Sequence, residues 1–379
     1  MKVLYITAPP LFDLEISLVR ELAKIVDIKV VSFVNAHSLH SSAFSIGQLE
    51  PTACIRSASE VADMKKYDNM IDLSKWFLAF NPTGSVKDML QLSQSMKKFI
   101  NRERFDIVHN TTYSKELFFS FPYLASIPAK LMTIHDPIPH ESIGYLEKIR
   151  LKIYQLYFQN RLLLSHALLE DYLNYTGFAR DTIFFSKLSV YDFLSTYPAD
   201  TNKIGDYILF FGRISYYKGV ELLIEAYKQS GFKQSGIKLI IAGKGDLDCE
   251  VPGVEDGIIF LNRYIENSEL ANLIRYSKFV VLPYRSATQS GCVMSAFAFN
   301  KPILATRVGD LPLEIEHNKT GIIVEPNSVS SLLNGLLRLN NKTLLDTLTL
   351  NIESKYKNGG DNSWEHIAKE IKLIYSRII

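Results

Sequence analysis

Short apolar runs recur along this chain, each followed by a segment of helical periodicity, and that alternation is what most narrows the fold. Lys2–Thr7 reads as a buried strand, Leu14–Ile25 as an amphipathic helix and Asp27–Phe33 as a second strand. Ser85–Asn101 continues as a helix, Phe105–Asn110 as a strand, and Ala129–His135 as a strand that ends in a polar, proline-rich turn. The pattern restarts near residue 206 with the strand Tyr207–Gly212, the helix Lys218–Ser230 and the strand Lys238–Gly243. Strands at Gly257–Leu261, Phe279–Leu282 and Pro302–Thr306 follow, with helices at Ser268–Tyr276 and Cys292–Phe299 between them, and helical segments after Ser328 end with Ser363–Ile378. Strands that alternate with helices imply parallel sheets covered on both faces. Two such series predict two open α/β domains, residues 1–194 and 207–355, joined by a polar linker at 195–206, with 356–379 a C-terminal helix that packs back on the first domain. Sheets of this kind take ligands at the carboxyl ends of their strands, so a cleft between the two domains is the expected active site.

Composition bounds the rest. At 379 residues, 47% hydrophobic and 22% charged, the chain is long and apolar enough for two folded cores. A net charge of +2 gives no ground for a nucleic-acid partner. Cys54, Cys249 and Cys292 are odd in number and far apart, which suits free thiols in a reducing compartment. The opening Met1–Thr7 lacks the pattern of a secretory signal, and no apolar stretch is long enough to span a bilayer. A cytoplasmic location, or a peripheral one at the cytoplasmic face of a membrane, is therefore expected.

The segment Phe210–Gly219 (FFGRISYYKG) carries the most chemistry: a strand ends at Gly212 and passes through a basic turn into a helix. Cations beside a strand end and a helix start are well placed to neutralise phosphate, Arg213 as a two-pronged clamp and Lys218 as a mobile point charge. The plainer alternative is a pair of solvated basic residues in a loop. The neighbouring motifs favour the first reading, because FFGRISYYKGVELLIEAY, IAGKGD, VVLPY, KPILATRVGDLPLEI and TGIIVEP occur in that order. Over nearly all of its C-terminal half the chain resembles glycosyltransferase family 4. The resemblance implies the GT-B fold, two Rossmann-like domains facing each other across a cleft, with retaining transfer of a sugar from a nucleotide-diphosphate donor. It further implies that Arg213 and Lys218 contact the donor diphosphate and that His135, in Thr133-Ile134-His135-Asp136-Pro137, faces the donor sugar. Gly212, Gly243, Lys244, Arg263, Tyr264, Thr288, Gln289, Ser290 and Gly291 complete the expected donor-binding set.

Departures from that family are visible. Where many members carry two glutamates before the Lys301-Pro302 strand, this chain has Ala287 and Ser295, so the ribose ligand is open. The polar turn Thr288–Gly291 enters a helix whose first amides can receive phosphate or ribose oxygens, and Ser290 is placed to cap that helix. The glycine pair usual after the first strand is replaced by Ala8-Pro9-Pro10. Gly243-Lys244-Gly245 is a lone GxG with no nicotinamide fingerprint, and Asp246-Leu247-Asp248 is a DxD triplet of the kind chance supplies about once in such a chain, so neither a cofactor nor a metal is expected. Glu147–Arg161 combines Lys148, Arg150, Lys152 and Arg161 with Ile149, Ile153 and Leu156 at helical spacing, which suits either ordinary packing or contact with anionic lipid. The expected acceptor is a saccharide or lipid-linked saccharide of cell-surface polysaccharide or glycoconjugate synthesis. The alternatives are a non-catalytic GT-B partner protein, and a GT-B epimerase or phosphorylase.

Overall fold

The apolar runs become central strands because both of their faces are covered, and the computed structural model shows this for residues 1–41, 43–135, 144–164, 169–200, 204–247, 253–287, 290–357 and 359–379. They form two units, Met1–Leu188 with Trp364–Ile379, and Ser189–Ser363.

In the first unit the strands are β1 (Lys2–Thr7), β2 (Asp27–Asn35), β3 (Cys54–Ser57), β4 (Trp76–Asn81), β5 (Ile107–Asn110), β6 (Ala129–Ile134), β7 (Asn160–Leu163) and β8 (Ile183–Phe185). Their order is β3-β4-β2-β1-β5-β6-β7-β8, parallel except for the antiparallel pairing of β3 with β4. The helices are α1 (Phe12–Leu22), α2 (Val86–Glu103), the single turns α3 (Lys115–Phe118) and α4 (Phe121–Leu124), then α5 (Tyr145–Tyr157) and α6 (Leu169–Thr176). Ser85 starts α2 by accepting the Asp88 amide, satisfying one of the orphan donors at a helix start. Leu92, Met96, Phe99 and Ile100 of α2 then bury against Leu4, Val31 and Val108 of the sheet.

The second unit is a six-stranded parallel sheet in the order β11-β10-β9-β12-β13-β14. Its strands are β9 (Tyr207–Phe211), β10 (Lys238–Ala242), β11 (Ile258–Leu261), β12 (Val280–Leu282), β13 (Ile303–Thr306) and β14 (Gly321–Val324). Its helices are α7 (Val220–Gln229), α8 (Asn267–Tyr276), α9 (Gly291–Ala298), α10 (Leu311–Glu314), α11 (Val329–Leu339) and α12 (Lys342–Tyr356). The last helix, α13 (Trp364–Ile378), belongs to the first unit, where it lies against α1 and buries Ile367, Ala368, Ile371 and Tyr375.

Two differences from the sequence reading have physical causes. The polar stretch from Ser195 to Asp200 belongs to the second unit, because α8 holds its carbonyls: Arg275 donates to Tyr197 O at 2.7 Å and Tyr276 to Asp200 O at 2.6 Å. The units divide earlier, between Leu188 and Ser189. The helix expected through Arg161 stops at Tyr157, where Phe158 turns extended, and Arg161 is buried in β7. Its guanidinium donates to Gln159 O and Thr182 Oγ1 at 2.8 and 2.9 Å and lies 3.6 Å from the Phe178 ring centre, so it is a packing residue.

Candidate active site

The basic turn after β9 is held in place by backbone crowding. Gly243 and Gly245 adopt φ of 153° and 154°, and a Cβ on them would lie 1.8 Å from Gly212 O and 1.9 Å from Ile214 O. Only glycine allows the loops after β9 and β10 to lie backbone to backbone. Gly212 N–H donates to Ala242 O at 3.0 Å and Ile214 N–H to Lys244 O at 3.1 Å, so the ladder continues past both strand ends. Gly219 starts α7 in the left-handed region, and its missing side chain leaves room for Pro283 O.

Above these loops opens a cavity of about 810 Å³ whose lining includes Gly212, Arg213, Gly243, Lys244, Arg263 and Tyr264. These six expected donor-binding residues are therefore neighbours in space. Arg213 and Lys244 are exposed, and among the described residues neither has an ion-pair partner. Arg263 differs, because Glu269 takes its fork through contacts of 2.8 and 2.6 Å.

Lys218 is outside that lining. Its ammonium sits 3.6 Å from the Tyr284 ring centre and 5.0 Å from that of Tyr217, a cation–π arrangement, and among the described residues it too has no carboxylate partner. Burial lowers its pKa from the usual lysine value. Tyr284 is buried, and its hydroxyl meets Ser290 Oγ at 3.2 Å. Ser290 stands at the N-cap of α9, but its side chain makes no capping bond because the hydroxyl is turned to Tyr284. Through Tyr284 the lysine is thus linked to Ser290 and to Gly291, the first residue of α9. Ser295 spends its hydroxyl on Gly291 O within that helix, at 3.0 Å. Thr288 and Gln289, like Asp248, lie outside the described residues.

Sequence reasoning missed Tyr284, although it quoted the VVLPY run that contains it, because a tyrosine at a strand end carries no mark of what it faces. It also passed over Glu314, whose carboxyl is pushed up to about 7 by burial and by Asp310. Its Oε2 is buried with no hydrogen-bond partner among the described residues.

In the first unit His135 follows β6, with its Nε2 3.5 Å from Oε1 of Glu15 on α1. Glu15 is buried and accepts the Thr7 hydroxyl on Oε2 at 2.5 Å. Beside them His109 is enclosed, its Nδ1 2.7 Å from the Tyr375 hydroxyl and its Nε2 2.8 Å from Thr133 Oγ1. Burial, with a smaller push from His135, lowers its pKa to about 3 and keeps the ring neutral.

Residues 205–342, which span the cavity and both loops, match the protein-family model Glycosyl transferases group 1. Over 179 residues the chain is 30% identical to an uncharacterized glycosyltransferase of Methanocaldococcus jannaschii, covering 44% of this chain and 44% of that protein. The chain thus spans just under half the length of the curated relatives it matches. Two solved structures extend the likeness to the whole chain. A Rickettsia africae glycosyltransferase aligns with a TM-score of 0.63 at 16% identity, over 100% of this chain and 98% of that one. Anabaena HepE in complex with UDP aligns with a TM-score of 0.63 at 14% identity, over 100% of both. At such identities the likeness establishes the fold: two α/β domains built on parallel sheets, as in GT-B glycosyltransferases.

Proposed function

We propose that this chain is a retaining, family 4 type glycosyltransferase whose second unit holds a nucleoside-diphosphate sugar and whose first unit receives a saccharide or lipid-linked saccharide. The observation that carries this reading is the set of cations with no carboxylate partner among the described residues: Arg213 and Lys244 at the cavity, on loops whose glycines bring backbone against backbone, and Lys218 at the end of the turn after β9. Unpaired cations at such a place suit an anionic group with several oxygens. The group 1 match covers the same residues, and HepE, which shares the fold, was solved with UDP bound.

In the proposed reaction the bond from C1 of the sugar to the diphosphate oxygen breaks, and the electron pair leaves with the phosphate. The acceptor hydroxyl oxygen bonds to C1 on the same face and gives its proton to that phosphate oxygen. Arg213 and Lys218 stabilise the charge that builds on the leaving group, which is where preorganised electrostatics lower a barrier most. Desolvation of Lys218 strengthens its attraction for an arriving phosphate. His135 is proposed as the group of the first unit that meets the sugar. No cofactor or metal enters this scheme, because the two cations meet the diphosphate charge.

A peripheral position at the cytoplasmic face of a membrane, suited to cell-surface glycoconjugate synthesis, is part of the proposal. It is supported by the exposed Leu146, Ile149 and Leu156 of α5 beside Lys148 and Lys152. No helix among the described residues is long and apolar enough to cross a membrane. Ala287 and Ser295, which stand where acidic residues are common, keep a second reading open, a non-catalytic partner of the same fold.

Nucleotide release from a panel of nucleotide sugars tests the proposal. Arg213→Ala and Lys218→Ala should each lower turnover by about 100-fold, roughly 3 kcal/mol of lost transition-state stabilisation, with Arg213→Lys recovering only part. Activity should persist in excess EDTA. Folded alanine variants with near wild-type turnover would remove the diphosphate site from these residues, and loss in EDTA restored by magnesium or manganese would return attention to Asp246 and Asp248.

A further inference from the structure

Burying a carboxylate costs free energy unless each oxygen finds a partner, and Glu15 is only half provided for. Oε2 accepts the Thr7 hydroxyl at 2.5 Å, at the end of β1. Burial and the Glu15 carboxylate, through charge and a hydrogen bond, together raise the Tyr5 pKa well above its usual value. Oε1 and His135 Nε2 face each other at 3.5 Å, and among the described residues neither has a hydrogen-bond partner. Two buried polar atoms of opposite character, unpartnered among the described residues and 3.5 Å apart, need only a small shift to close into a hydrogen bond. Bonds of this kind at reacting groups are often long without substrate and tighten in the complex.

The neighbours leave this pairing as the open one. His109 has both ring nitrogens occupied, by Tyr375 and Thr133, and is held neutral, so it cannot serve as a donor or charge for Glu15. The void lined by Glu15, His135, Thr133, Tyr5 and Trp364 is about 20 Å³, on the order of one water and too small for a sugar ring. His135 nevertheless keeps 19% of its side chain exposed, so one edge of its ring is open while Nε2 is buried against Glu15.

We propose that Glu15 is a positioning residue for His135. Its carboxylate accepts the Nε2 proton, fixes the ring in the Nε2–H tautomer and leaves Nδ1 as the acceptor, while Thr7 holds the carboxylate in register. Glu15 itself touches no substrate. The inference rests on the reading of His135 as a residue of the glycosyltransferase reaction, and its test separates the two.

Full-length chain labelled with 15N at histidine reports the tautomer of each ring, with His135 assigned by its loss in His135→Gln. Wild type should show His135 as Nε2–H. In Glu15→Gln the amide oxygen takes the Thr7 hydroxyl and the amide nitrogen faces the ring, so the ring should convert to the Nδ1–H form. With the donor that gives nucleotide release, Glu15→Gln should lower kcat about tenfold or more at unchanged KM. The double variant with His135→Ala should be no slower than His135→Ala alone, a coupling that a purely structural role would not produce. An unchanged tautomer in Glu15→Gln, or additive losses, would overturn the role of Glu15 while leaving His135 in the reaction. Loss in Arg213→Ala but not in His135→Ala would overturn the part assigned to both residues of the pair. Absence of release from every donor in the wild type would sink the glycosyltransferase reading, and the tautomer measurement alone would then decide the pairing.

Discussion

Lys218 shows how much a single aromatic face can do for a cation. Burial disfavours its charged form, and the Tyr284 ring at 3.6 Å offsets part of that while leaving the ammonium free of any fixed anion among the described residues. An ion pair there would have to be broken before a phosphate could bind, whereas a ring gives way without leaving a buried charge behind. Tyr284→Phe keeps the ring and loses only the hydroxyl's contacts to Ser290 and Cys292, so nucleotide-release kcat/KM should stay within about threefold of wild type. Tyr284→Leu removes the π-face, worth about 1–2 kcal/mol at a desolvated site, and should lower kcat/KM by about tenfold or more. Equal rates in the two variants would mean that the ring does not position the lysine.

Between β9 and β10 the decisive feature is the absence of two side chains. A methyl group on Gly243 or Gly245 would meet the carbonyl of Gly212 or Ile214 at less than 2 Å, so one loop must move away from the other. Gly231 has a positive φ of 74° with open space around it. Gly231→Ala should therefore cost only the conformational term, roughly 1 kcal/mol, while Gly243→Ala and Gly245→Ala should cost about 3 kcal/mol or more and displace the basic turn as well. Chemical denaturation of the three variants makes the comparison. Similar losses at all three positions would show that backbone strain, and not the close approach of the loops, is what the glycines relieve.

At the scale of the molecule His109 and Glu314, one in each unit, contribute pH dependences of opposite sign. His109 in the first unit has a folded pKa of about 3 against an ordinary 6.5, so between these values the unfolded chain binds more protons and stability falls as pH is lowered. Glu314 in the second unit is raised from 4.5 to about 7, so in that window the folded chain binds more protons and stability falls as pH is raised. Each slope is at most about 1.4 kcal/mol per pH unit. Hydrogen exchange between pH 5 and 6.5, roughly the shared window, should show, after correction for intrinsic exchange, the His109 contribution as protection of β5 that rises with pH, and the Glu314 contribution as a difference between wild type and Glu314→Gln at β13 that falls with pH, since His317, its pKa lowered by burial, works the other way in that unit. A β13 difference that is flat or rises with pH would refute the assignment to Glu314.

Local pattern settled the α/β alternation in outline and the basic turn, because each is written in residues that stand close together in the chain, but it left β3, β4, β7, β8 and β14 unread. The strand end at Gly212 and both cations lie within one short segment, and the periodicity of apolar residues states which faces are buried. It does not state what they are buried against. Tertiary structure alone brought Tyr284 under Lys218, set Glu15 against His135, and joined Tyr375 to His109 across 266 positions. It also decided that Arg161 would sit inside β7 and that α8 would hold the stretch from Ser195 to Asp200. Such contacts depend on how whole elements pack, since a buried polar atom accepts whichever partner the packing delivers, and no local spacing records that partner.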